Sequence, residues 1–247
     1  MSDGFGNREG QDYRGYVGPS EKYDLISANQ FNLLTFLDLR EDHYLLDVGC
    51  GSLRAGKLLI PYLLPERYHG IEPERWLVDE GIKNELGEDI LAIKKPVFEY
   101  DSNFTLSVFG RKFDFILAHS IFSHASERQI RRCLSEARKV MKPISLFVAT
   151  FARSDSNYDG NDWVYPGFVT YTLDHMRQLF EEHGLASAIL DWPHPEYQAW
   201  IVAALRAQEE AGSPLSGPED RVKEHTERLF KNRGSLLDLF FQKNKET

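Results

Sequence analysis

The sequence predicts an α/β protein: a doubly wound, seven-stranded, mostly parallel sheet with helices on both faces, closed by a terminal antiparallel hairpin strand. Three observations carry this. Short apolar runs alternate with stretches of helical spacing from Tyr44 to Leu205. The first apolar run ends in a glycine turn, Gly49-Cys50-Gly51. The last two runs are joined only by a short Pro-rich turn, Trp192 to Glu196, so they pair as a hairpin that puts an antiparallel strand at the sheet edge.

Taken in order, residues 1–24 are polar and Gly-rich, carry Tyr13, Tyr16 and Tyr23, and read as an irregular lid. Leu25 to Arg40 has Phe31, Leu34 and Leu37 at helical spacing, which predicts a helix. Residues 1–40 thus form an N-terminal lid and helix ahead of a domain over 41–206. Tyr44 to Val48 is the first strand. Leu53, Gly56, Ile60 and Leu63 mark a helix that ends near Pro65. Tyr68 to Ile71 is the second strand, and Glu74 to Leu86 a helix stopped by Gly87. Val97 to Tyr100 and Phe113 to Ala118 are strands three and four. Glu127 to Met141 is a helix with Ile130, Leu134, Ala137 and Met141 inward. Ile144 to Thr150 is the fifth strand, and Leu173 to His183 a helix ended by Gly184. Ala186 to Asp191 and Gln198 to Leu205 complete the sheet. Residues 207–247 hold a linker rich in Gly, Ser, Pro and Glu, then a helical stretch, Arg221 to Phe241, with a greasy end. That tail is expected to pack back on the domain or to join two copies as a homodimer.

Length and composition bound the rest. A chain of 247 residues buries roughly 70–75% of its unfolded surface, enough for a full core without staples. Apolar residues at 42% and aromatics at 13% exclude disordered and low-complexity classes. The net charge of −9 argues against an electrostatic duplex-DNA binder. No apolar run approaches the roughly 20 residues of a membrane span, and Met1 to Gly6 shows no secretory signal. Cys50 and Cys133 lack CxxC partners, so a reducing, cytoplasmic compartment is expected.

The chemistry is concentrated after the first strand, in Asp47-Val48-Gly49-Cys50-Gly51-Ser52-Leu53-Arg54. In an open α/β sheet ligands bind at the carboxyl ends of the strands, near the switch point. Glycines there let the backbone approach a ligand closely. A dinucleotide fingerprint needs G-x-G-x-x-G, and Arg54 stands at the third glycine position. Asp47 would repel a diphosphate and suits a cationic ligand group. Glu72 ends the second strand, 23 residues after Gly49, where a carboxylate can accept both ribose hydroxyls of an adenosine. Asp101 ends strand three, within reach of an adenine amino group.

Leu46 to Gly51, the acid Glu72 and Phe113-Asp114-Phe115-Ile116 resemble class I S-adenosylmethionine-dependent methyltransferases, over about residues 40–205. The resemblance implies S-adenosylmethionine as cofactor and S-adenosylhomocysteine as product. It implies that Glu72 binds ribose, and that the loop of Gly49 and Gly51, with Ser52 beside them, packs on the methionine part. It also implies that Ala118 to Phe122, with Ala118, His119 and Ser120 at its start, lines the donor methyl. The run Ser52-Leu53-Arg54 departs from the more Gly-rich run of many relatives.

Methyl transfer aligns donor and acceptor and often needs a base. Histidine suits base work near neutrality. His124 follows strand four and His194 sits in the turn after strand six; these are the candidates, with His119 a lesser one. The long segment Phe151 to Phe168 is the expected acceptor wall, with Trp163, Tyr165, Phe168 and Trp192 as an apolar box. Asp155-x-Asn157-x-Asp159-Gly160 opens a calcium-loop pattern, but Pro166 stands where that pattern needs Glu, so no metal is expected. The basic residues of Glu127 to Lys142 read as the solvated face of an amphipathic helix. The expectation is a small-molecule acceptor and no nucleic-acid or membrane partner. The alternatives are an RNA or protein methyltransferase, discriminated by an open groove along Arg131 and Arg138, and an inactive cofactor-binding scaffold.

Overall fold

The computed structural model describes residues 12–206. The expected C-terminal linker, tail helix and dimer contact therefore lie outside the described residues, as does the start of the lid.

Alternation along the strands sorts the core into two layers. In β1 (Leu45–Val48), Leu46 and Val48 face one layer and Leu45 the other. β1 pairs in parallel with β2 (Tyr68–Ile71) on one side and with β4 (Phe113–Ala118) on the other, with Leu46 opposite His69 and Ile116. β3 (Val97–Glu99) extends the sheet beyond β2. β5 (Met141–Arg153) lies beside β4 and is longer at both ends than its apolar centre predicts.

The hairpin forms from β7 (Leu185–Leu190) and β8 (Ala199–Leu205). The order β3-β2-β1-β4-β5-β8-β7 corrects one expectation: antiparallel β8 is inserted between β5 and β7, and β7 is the edge. Burial explains this, because Trp200, Ile201 and Ala203 are fully buried in β8 whereas β7 turns half-buried from Ala188 onward. A two-residue strand, β6 (Thr170–Tyr171), pairs with the end of β5.

Helices cover both faces. α1 is the single turn Tyr13–Tyr16. α2 (Tyr23–Phe36) and α3 (Gly56–Tyr62) bury Leu33, Leu34, Leu59 and Ile60 on one layer, with α4 (Arg75–Gly81) beside them. α4 passes into a π-helical turn, Ile82–Leu86, and a short helix, α5 (Glu88–Lys94), follows. Its mixed surface pattern hides it from periodicity. On the other layer, α6 (Glu127–Val140) buries Ile130, Cys133, Leu134 and Ala137, and α7 (Leu173–Glu182) buries Met176, Leu179 and Phe180. A capping box between Ser126 and Gln129 starts α6. The lid is less irregular than expected: α1 and a 3-10 turn, Ser20–Lys22, form within it.

The chain leaves β1 toward β2 and β3, then returns to β4 on the far side of β1. The carboxyl ends of β1 and β4 thus flank the switch point, where a crevice opens.

Candidate active site

The glycine loop sits at that crevice. Gly49 and Gly51 adopt φ of 70° and 54°, the left-handed region that favours glycine. A Cβ on Gly49 would lie 2.1 Å from Ile121 Cδ1, so no side chain fits there without displacement. The Gly49 amide donates to the Ile71 carbonyl at 2.8 Å. Gly51 donates to Glu72 Oε2 at 3.0 Å, and the Glu74 amide to Glu72 Oε1 at 2.9 Å. Burial pushes the Glu72 carboxyl up to about 7, against the pull of those two amides.

The predicted cofactor residues separate into two groups. Gly49, Gly51, Glu72, Asp101, His119 and Ser120 line one cavity of about 1120 Å³, and His124 lines it too. Asp101 stays below the usual carboxylate range despite its burial, because the Thr105 and Asn103 amides bond to it. Ser120, at φ 58°, is held by its amide to Thr150 Oγ1 at 2.7 Å and by Gln198 Nε2 to its Oγ at 3.0 Å. Asp47, Ser52 and Ala118 are buried off this cavity. Asp47 accepts from the Tyr68 hydroxyl at 2.6 Å and is pushed up to about 6 by burial. It lines a separate recess of about 30 Å³ with Gly49, Gly51 and Arg54. The Ser52 carbonyl accepts from the buried Tyr23 hydroxyl at 2.8 Å, which ties the glycine loop to α2. Ala118 is fully buried at the end of β4.

The two candidate bases also part. The His124 ring lines the cavity, against Trp163 and Tyr165 with centroids 5.5 and 5.3 Å apart. Its Nδ1 meets the carbonyls of Val164 and Gly167 at 3.0 and 2.8 Å. Carbonyls only accept, so Nδ1 carries the proton and Nε2 the lone pair, an assignment made from the partners. His194 does not line the cavity. Its ring stacks on His119 with Nε2 to Nε2 at 2.9 Å, and burial holds it down to about 4.

Trp163, Tyr165, Pro166 and Phe168, from the loop after β5, line the same cavity as the glycine loop. Trp163 and Phe168 remain 41% and 69% exposed at its mouth. Trp192 departs from the expected box: it packs on Phe36, centroids 5.3 Å apart, in the opposite layer. The strap 15–20, part of the expected lid, also lines the cavity. Tyr16 packs on Trp76 and Tyr165, and the Tyr165 hydroxyl donates to the Tyr16 carbonyl. The strap is anchored where Arg14 and Lys57 meet the buried Glu85 carboxylate at 2.6 and 2.9 Å. Arg54 also reaches the strap, donating to the Val17 carbonyl. Its only sequence signal is that it replaces a glycine.

Arg131, Arg132 and Lys139 of α6 do not line this cavity and are paired, Arg131 with Glu127 and Glu182, Arg132 and Lys139 with Glu136. Among the described residues no group of three or more His, Cys, Asp or Glu is placed to hold a metal ion.

Comparison with known proteins agrees with this geometry. Residues 46–147 match a family model described as a methyltransferase domain. The sheet and closing hairpin described above are the fold of solved methyltransferase structures. No curated protein matches the sequence. Solved structures do match in fold. Magnesium protoporphyrin IX methyltransferase (ChlM) from Synechocystis PCC 6803, with bound SAM, is 16% identical with a TM-score of 0.57 over 83% of this chain and 87% of that one. An S-adenosylmethionine-dependent methyltransferase from Clostridium acetobutylicum ATCC 824 is 13% identical, TM-score 0.54, over 79% and 96%. The glycopeptide N-methyltransferase MtfA, complexed with S-adenosylhomocysteine, is 12% identical, TM-score 0.56, over 74% and 90%. At such identities the likeness is one of fold.

Proposed function

We propose that this protein transfers a methyl group from S-adenosylmethionine to a hydroxyl or amine of a small acceptor. The residues fit the cofactor. The two glycines, both at left-handed φ, line the cavity, and Glu72 presents a buried carboxylate beside them. The cavity, at about 1120 Å³, exceeds the roughly 300–1000 Å³ of a single ligand pocket, which leaves room for two molecules. Glu72 would accept the ribose hydroxyls, Asp101 the adenine amino group, and the glycine loop would hold the methionine part. Bound there, the cofactor supplies a methyl on a sulfonium, and displacement breaks the carbon–sulfur bond to leave S-adenosylhomocysteine.

One observation carries the acceptor side. His124 is locked by two loop carbonyls in the tautomer whose Nε2 lone pair can take a proton. His124 would accept the acceptor's proton as the new bond to carbon forms. The aromatic wall favours a flat, apolar acceptor body. Arg131 and Arg132 of α6, paired with carboxylates and not on the cavity lining, favour a small molecule over a polymer. Two buried, unpaired cysteines support the cytoplasmic expectation, and no helix of the described residues is long and apolar enough to cross a membrane.

The test is calorimetric titration with S-adenosylhomocysteine, with NADH as control, followed by labelled methyl transfer to a panel of hydroxyl and amine acceptors. Binding of S-adenosylhomocysteine alone supports the reading. Binding of neither, or of NADH, overturns it.

A further inference from the structure

The amino ends of the parallel strands, at the opposite end of the sheet from the crevice, carry a cluster that the proposed reaction does not use. β2, β1, β4 and β5 are neighbours in that order and run parallel. Their starts therefore line up along one edge of the sheet. Arg67 stands just before β2, Tyr44 just before β1 and Arg111 just before β4, and Lys142 is the second residue of β5. The central carbons of the Arg67 and Arg111 guanidiniums lie over the Tyr44 ring, 3.9 and 3.5 Å from its centroid. Two like charges are thus held close together by one neutral ring. At this distance a guanidinium meets the ring with its flat face, so its N–H donors point outward around its rim.

Neither guanidinium has a countercharge. Asp114 is committed to other groups. Its two oxygens take Lys142 Nζ at 2.6 and 2.7 Å, and Oδ2 also accepts the Tyr44 amide at 2.8 Å. Among the described residues no carboxylate lies within 4.0 Å of Arg67 or Arg111. Glu66, adjacent to Arg67 in the chain, is exposed and forms no ion pair with it. The Arg67 side chain donates no hydrogen bond among the described residues, and Arg111 reaches only the buried His69, Nη1 to Nε2 at 3.4 Å. That contact orients Arg111 without adding negative charge. The ring quadrupole attracts a cation but does not neutralise it. The Tyr44 hydroxyl is also without a hydrogen bond among the described residues, and all three side chains are half-buried, open to solvent on one side.

Donors without acceptors and charges without countercharge are the chemistry of an oxyanion site. We propose that Arg67, Tyr44 and Arg111 bind a phosphate dianion, free or as a monoester. A carboxylate carries one charge and two coplanar oxygens, which a single arginine fork satisfies. A phosphate carries about −1.5 to −2 near neutrality and turns three oxygens in different directions, which two arginines and a hydroxyl can share. Bound there, it ties the start of β2 to the start of β4 across β1. The site is separate from the glycine loop and its assignment does not depend on the cofactor.

The experiment follows backbone amide and arginine Nε–H signals of the full-length protein by NMR. The additions are sodium phosphate, glycerol phosphate and, at matched ionic strength, sodium acetate and sodium chloride. Saturable shifts at Arg67, Arg111 and Tyr44 are expected with phosphate and not with acetate or chloride. Tighter binding of inorganic phosphate would identify the free ion as the ligand, and tighter binding of the ester a phosphorylated small molecule. Arg67→Gln and Arg111→Gln should each weaken phosphate at least about tenfold, as expected for a lost charge-assisted hydrogen bond. Tyr44→Phe should weaken it less, because the ring that holds both guanidiniums remains. Equal shifts with acetate or chloride overturn the proposal, since they would report only screening. Phosphate shifts confined to the crevice, at Gly49 and Gly51, overturn it as well. So does tighter binding of a single-stranded RNA at the same residues with a steep salt dependence, which would make the face a polymer contact. The wild-type comparison decides between these outcomes even if a variant fails to fold.

Discussion

The Glu72 carboxylate accepts the Gly51 amide at 3.0 Å, and this bond joins the end of β2 to the loop that follows β1. One side chain therefore fixes the glycine loop and lines the cavity. Replacing Glu72 by Ala should remove two ribose hydrogen bonds to a charged acceptor, each about 1.5–3 kcal/mol. Affinity for S-adenosylhomocysteine should fall at least tenfold by calorimetry. The wild-type affinity should also rise with pH and level off above neutrality. Ribose hydroxyls donate to the ionised carboxylate, and without ligand that carboxyl titrates at about 7. The pH dependence should vanish in Glu72→Ala. An unchanged affinity removes Glu72 from the ribose site.

His124→Asn separates chemistry from architecture. The Asn amide can still donate to the carbonyls of Val164 and Gly167, while the Nε2 lone pair is gone. Turnover should drop roughly a hundredfold or more if His124 is the base, with cofactor affinity unchanged. A variant that keeps wild-type turnover would leave catalysis to alignment alone.

His194 should matter to acid stability more than to turnover. It and His69 are both held near 4 by burial, well below the ordinary value of 6.5. Above pH 6.5 neither the folded nor the unfolded chain is protonated at these rings, so nothing is lost. Between 6.5 and 4 the unfolded chain takes up the protons and the folded chain does not, so stability falls as pH falls. His194→Asn should flatten that slope, read as a smaller drop in Tm between pH 7 and pH 4.5. Parallel curves for variant and wild type would exclude His194 as a source of it.

Gly49→Ala meets two obstacles, a left-handed φ of 70° and Ile121 Cδ1 at 2.1 Å from the new methyl. The first alone costs roughly 1–2 kcal/mol. Shortening Ile121 to Ala should relieve the contact and leave the backbone strain, so the double variant should be more stable than additivity predicts. Additive unfolding energies would show that Ile121 moves aside freely.

What the sequence determines by itself is the local part. Period-two and period-3.6 apolar spacing marks the strands and the longer helices, because each such element must bury one face. The run Gly49 to Gly51 with Glu72 marks the crevice after β1, because positive φ and close approach demand glycine. His124 stands out by its position after β4. Tertiary structure decides the rest. Only packing inserts β8 between β5 and β7, since Trp200 and Ile201 need cover on both faces. Only the meeting of distant segments separates the histidines: Val164 and Gly167 hold His124 at the cavity, whereas the amides of Glu196 and Gln198 turn His194 onto His119. The same holds for Trp192, which finds Phe36 instead of the aromatic wall. Arg54 depends on both levels. Its place after the glycines is legible in the chain, but its meeting with the Val17 carbonyl and with His119 is not. Which groups face each other is a property of three-dimensional contact, which one-dimensional spacing does not encode.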